Sequence, residues 1–148
     1  SNAAMAEELM RVNADSLGAV GRAKFDELTG KIYPDACKKQ YRAAKEAYDS
    51  GEYDTVISSL ETVMQMDESY NDGAAMLLLA QGYEKKGDQD KANTTYQKII
   101  ETWPNTDVAT QAQQALDAQS GNADSSDSKK SGDTQKNSDN DDNGDNNN

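Results

Sequence analysis

Between residues 73 and 105 apolar side chains recur at three- and four-residue spacing, and that spacing predicts two helices. Leu79, Ala80 and Tyr83 share one face of the first. Ala92, Tyr96, Ile99 and Ile100 share one face of the second. Gly87 suits the left-handed conformation that ends a helix, and Asp88 suits the N-cap of the next. Pro104 cannot continue the second helix, because its ring excludes the helical hydrogen bond. The small residues Ala80 and Ala92 let two helix axes approach closely, with the aromatics filling the space beside them.

The same pattern stands earlier in the chain. Tyr41, Ala44, Ala47 and Tyr48 predict a helix over 35–50, with Pro34 in its first turn and Gly51 at its end. Val56, Leu60, Val63 and Met64 predict its partner over 53–66. When Gly51 is set on Gly87, Ala44 falls on Ala80, Ala47 on Tyr83, Val56 on Ala92, Leu60 on Tyr96, Val63 on Ile99 and Met64 on Ile100. The offset between these positions is 36 residues. After Pro104, Thr106 or Asp107 suits a cap, and Val108, Ala112, Ala115 and Leu116 predict a terminal helix over 107–119. Upstream, Asp15 is the expected cap of a helix from Ser16 to about Thr29, with Leu17, Val20, Phe25 and Leu28 as its buried stripe. Gly18 and Gly21 on that helix suggest a close neighbour. Gly30 and Tyr33-Pro34 are expected to end it.

These positions resemble the tetratricopeptide repeat, a helix–turn–helix unit of about 34 residues with a small–aromatic pattern ending in proline. Gly82-Tyr83, Trp103-Pro104-Asn105-Thr106, Ala109, Ala112 and Leu116 look more narrowly like bacterial envelope members of that class. These include the periplasmic Tol–Pal coordinator and outer-membrane assembly lipoproteins. The resemblance implies an all-α fold, an α-α superhelix of helix hairpins with a C-terminal capping helix; a disordered acidic tail is expected to follow it. The expected organisation is a cleaved-tag scar at 1–3, a flank at 4–14 and a repeat domain at 15–119. Within that domain lie a degenerate half-repeat (15–34), two repeats (37–70 and 73–106) and the capping helix (107–119). The tail is 120–148.

Composition sharpens this picture. The net charge is −12, and from Gly121 onward Ala123 is the one apolar side chain among seven Asp, seven Asn and three Lys. Such a segment cannot bury enough surface to offset its ordering entropy. The acidic balance argues against nucleic acid, whose binding needs clustered cations, and against adhesion to anionic lipid. The longest apolar run, Ala74–Ala80, is far too short to span a bilayer, so no membrane insertion by this segment is expected. Ser1-Asn2-Ala3 followed by Ala4 suggests that a signal peptide, anchor or domain stood upstream. That inference, the resemblance and the tail together imply an extracytoplasmic address, with the cytoplasm as the alternative.

Reactive chemistry is scarce. The chain has no histidine, which removes Ser-His-Asp and Cys-His nucleophiles and the common zinc sets. Cys37 stands alone, without a partner to activate it. Adjacent carboxylates such as Glu7/Glu8, Asp26/Glu27 and Asp67/Glu68 do not converge on a helix. Asp139, Asp141, Asn143, Gly144 and Asp145 match half of a calcium loop, but no bidentate Glu follows. Asn93-Thr94-Thr95 is a formal glycosylation sequon inside a predicted helix. No enzyme activity, cofactor or metal is expected.

The resemblance places a binding groove on the first helix of each unit. Its expected lining is Lys38, Tyr41, Lys45 and Tyr48, then Ala74, Leu77, Gln81, Glu84 and Lys85. Ala44, Ala47, Val56, Leu60, Leu79, Ala80, Tyr83, Ala92, Tyr96 and Pro104 are the expected repeat core. Lys38, Lys39, Arg42 and Lys45, interleaved with Tyr41 and Tyr48, could grip an acidic or extended peptide. The carboxylate clamp of the class wants Lys and Asn where Tyr41 and Lys45 stand, so that ligand does not carry over. The expected function is a protein-binding scaffold, a cell-envelope adaptor for a peptide or protein. The alternative is an oligomerisation module of a larger protein, with self-association.

Overall fold

The computed structural model describes residues 1–127, with side chains through Ser120. Six α-helices and two short 3₁₀ turns account for these residues, and there is no strand among them. The helices are α1 (Asn2–Met10), α2 (Ala19–Asp49), α3 (Tyr53–Met66), α4 (Ala74–Lys86), α5 (Gln89–Thr102) and α6 (Asp107–Asp127). One compact unit spans Ser1–Leu116, and a second begins at Asp117.

The second half of α2 with α3, and α4 with α5, form two antiparallel hairpins whose turns share their backbone hydrogen bonds. Gly51 and Gly87 both take left-handed φ, 78° and 92°. The following amides, of Glu52 and Asp88, donate to the carbonyls of Ala47 and Tyr83 at 2.8 and 2.9 Å. These bonds satisfy carbonyls that the helix end would otherwise orphan. The far ends match too: the Asp67 amide donates to Val63 at 2.7 Å, and the Trp103 amide to Ile99 at 2.9 Å.

Burial follows the same offset. Ala44 and Ala80, Val56 and Ala92, Leu60 and Tyr96, and Val63 and Ile99 are all buried within one core. Each large member contributes about 1.5–3 kcal/mol by leaving water. Ala47, Leu79 and Tyr83 are buried in it as well, and Met64 and Ile100 pack at its edge. Pro104 is exposed and is not part of this core. Its effect is on the backbone: Trp103, the residue before it, leaves the helical region at φ −125°, ψ 62°, and α5 stops. Beyond it, Thr106 caps α6 by accepting the Ala109 amide at 3.3 Å. Ala109 and Ala112 are buried, and Val108, Ala115 and Leu116 pack on the core.

The connections differ. Residues 103–106 join α5 to α6, whereas 67–73 join α3 to α4. The longer connection holds Asn71 and Asp72, both with positive φ (56° and 52°). Both are residue types that tolerate that region.

Four expectations are corrected here. First, Gly30 and Tyr33-Pro34 do not break the chain; α2 is continuous through them. An interior proline costs a helix about 3 kcal/mol. The packing at the junction opposes that cost: Ile32 and Ala36 are buried with Ala6 of α1, and Leu9, Tyr33 and Met66 close around them. No half-repeat ends at residue 34. Second, Asp15 does not cap a helix at Ser16. Asn13 caps a 3₁₀ turn there, and α2 begins at Ala19. Val20 is 85% exposed, and a Cβ on Gly18 would meet nothing within 4 Å. Of the expected stripe, Val20 is exposed, and Leu17, Phe25 and Leu28 are half-buried rather than part of the core. Third, residues 1–3, set outside the fold above, are ordered within it, whatever their origin. Ser1 caps α1, and the Asn2 side-chain amide donates to Asp35 at 2.9 Å. Fourth, α6 runs to Asp127, past the expected end at 119. Extending a formed helix costs far less than nucleating one. The remaining tail, including the Asp139–Asp145 pattern, lies outside the described residues.

Candidate peptide-docking cleft

Tyr41 sits on α2 four residues after Cys37 and four before Lys45, so the three share a helical face. Its ring meets that of Tyr70, from the α3–α4 connection, edge to face at 5.6 Å. The Lys45 ammonium lies 5.5 Å from the Tyr41 ring centre, within cation–π range. Around this pair opens a cleft of about 410 Å³, lined by Lys38, Tyr41, Arg42, Lys45, Glu46, Asp49 and Tyr70.

The electrostatics of this stretch are unusual for so acidic a chain. Arg11, Arg22, Lys24, Lys31, Lys86, Lys91 and Lys98 each pair with a carboxylate. Among the described residues, Lys38, Lys39, Arg42, Lys45 and Lys85 have no such partner. All but Lys85 lie between positions 38 and 45, a stretch that contains no acid. Cations left unpaired on one helix face concentrate positive potential where the rest of the surface is negative.

The other expected groove positions lie elsewhere. Tyr48 is half-buried and stacks edge to face on Tyr53 at 5.6 Å, inside its own hairpin. Leu77 is a core residue, 7% exposed, because α4 is covered on that side. Gln81 is half-buried. Glu84 is exposed, and its carboxylate accepts the Tyr96 hydroxyl at 2.6 Å. Lys85 is exposed and Ala74 half-buried; neither lines the cleft. The cleft thus gathers Lys38, Tyr41 and Lys45 from the expected set and adds Arg42 and Tyr70. Tyr70 carries no periodic signal in the sequence, since it belongs to a connection.

Cys37 lies beneath this face, 1% exposed. Burial first, and nearby Asp67 second, push its thiol up to about 11, so it stays protonated and unreactive at neutral pH. No helix among the described residues is long and apolar enough to cross a membrane.

Comparison with known proteins bears on α4 and α5. Residues 74–106 match the family model of the tetratricopeptide repeat. Neither the curated proteins nor the solved structures contain a match. Tetratricopeptide repeats generally mediate protein–protein interaction, and they are typically non-catalytic. The cleft belongs to α2, in the hairpin that precedes the matched segment and repeats its turns and burial. The chain is an all-α helical-repeat protein that carries a tetratricopeptide repeat at 74–106.

Proposed function

We propose that this chain is a non-catalytic scaffold that docks a peptide or a segment of a partner protein along α2. The observation that carries this reading is the gathering of unpaired Lys38, Arg42 and Lys45 around the Tyr41–Tyr70 pair. Exposed cations beside aromatic rings supply charge-assisted hydrogen bonds and stacking area to an extended ligand. The setting we favour is the cell envelope, where the scaffold would serve as an adaptor; that preference rests on the sequence resemblance.

Arg42→Glu combined with Lys45→Glu tests the docking face. Both side chains are exposed and make no ion pair, so the melting temperature should stay within a few degrees of the parent. Capture of a specific partner from cell extract should fall at least about tenfold, since each lost charge-assisted bond is worth about 1.5–3 kcal/mol. Unchanged capture by a folded double variant would rule the docking face out.

A further inference from the structure

A second cleft of about 410 Å³ adjoins the first along α2. Gly30, Tyr33, Pro34, Cys37, Met66 and Tyr70 are among its lining residues, and Tyr70 forms a wall of both. Its character is different. The surface it offers is mainly apolar, and its charged groups are Asp26 and Asp67. A carboxylate would be repelled there, whereas 38–45 carries only cations. At the far end Glu46 and Asp49 close the basic stretch. The face therefore reads, along the helix, as apolar, then positive, then negative.

We infer that the ligand is an acidic segment with one apolar anchor set about four residues from its carboxylates. The inference rests on the proposed reading of α2 as the docking face. The spacing comes from the helix. On α2, Tyr33 in the apolar cleft and the midpoint of Lys38, Arg42 and Lys45 lie roughly nine residues apart, about 13 Å at 1.5 Å per residue. An extended peptide covers about 3.3 Å per residue, so about four residues bridge them. The anchor enters between Tyr33, Met66 and Tyr70. The carboxylates then stand over Lys38, Arg42 and Lys45.

Gly30 offers a way to close the apolar cleft without harming the fold. It lines that cleft, and a Cβ built on it meets nothing within 4 Å. Gly30→Leu therefore fills open space, and it removes a helix-weakening glycine from the interior of α2.

The test uses the full chain and synthetic, end-blocked peptides of twelve residues on a Gly/Ser frame, read by fluorescence anisotropy. The first kind carries one Leu and three Glu separated by four residues, made in both orders. The second replaces Leu by Ser, and the third replaces Glu by Gln. One order of the first kind should bind about tenfold tighter than the second kind, as burial of one apolar side chain implies. The third kind should bind weakest. Gly30→Leu should erase the tenfold advantage and leave the second kind unaffected. Equal binding of the first two kinds overturns the anchor while the docking face stands. If none of the peptides binds, the docking face fails, and the anchor with it. An advantage that survives Gly30→Leu places the anchor elsewhere and also overturns the inference.

Discussion

Tyr96→Ala is expected to lower the unfolding free energy by about 3–5 kcal/mol, the range for deleting a buried aromatic side chain. Tyr96 is 1% exposed and fills the position in the second hairpin that Leu60 fills in the first. Its neighbours are fixed on stacked helices, so little collapse into the void is available. Tyr96→Phe keeps the ring and should cost only about 1 kcal/mol, because Glu84 is exposed and its freed carboxylate can turn to water. The hydroxyl has a pH signature as well. Burial first, and the bond to Glu84 second, raise the Tyr96 phenol above its ordinary value of 10.0. Tyr83, donating to Glu61 at 2.6 Å, is raised by burial and by that bond. A group whose pKa is raised in the folded state contributes stability that is complete below its unfolded pKa. That contribution is lost as pH rises toward and through the folded value. Thermal unfolding at pH 8 and pH 11 should therefore show an alkaline loss in the parent that Tyr96→Phe makes shallower. Equal losses in both proteins would mean that this phenol is not held as described.

Gly82→Leu is the second large effect. A Cβ at Gly82 would stand 2.9 Å from Val56 Cγ1 and 3.6 Å from Ile57 Cγ1. This is where α4 presses on α3, and Val56 is fully buried and cannot retreat. Forcing a larger side chain into a packed contact costs about 1–3 kcal/mol, and Leu should lie at the top of that range. Removing glycine from a helix returns up to about 1 kcal/mol. The net expectation is a loss of about 2 kcal/mol by chemical denaturation, with the parent's denaturant slope retained. A Leu variant as stable as the parent would show that the helices stand further apart than described.

The hairpins were legible because their signals are local and repeated. Glycine at the turn, small residues at 44, 80 and 92, and apolar positions at helical spacing specify the same unit twice. The continuity of α2 was not legible. Gly30 and Tyr33-Pro34 are strong local stop signals, and what opposes them is the packing of Ala6 on Ile32 and Ala36, a long-range contact. Nor could α1 be read, since Ala6 is its one buried residue and no apolar stripe announces it. The cleft was legible in part. Lys38, Tyr41, Arg42 and Lys45 stand out as a basic–aromatic run in an acidic chain. Tyr70 does not, because its position depends on Asn71 and Asp72 turning the connection back. Leu77 is buried because α4 is covered on that side, and the reach of Tyr96 across to Glu84 carries no signal in the sequence.

The docking face itself is best tested by following backbone amide resonances of the isotopically labelled full chain. The ligand added would be the end-blocked peptide carrying one Leu and three Glu. Saturable shifts are expected at 29–49 and 66–70, with α5 largely unmoved. Shifts centred on α4 and α5, or spread evenly over the surface, would contradict that docking face.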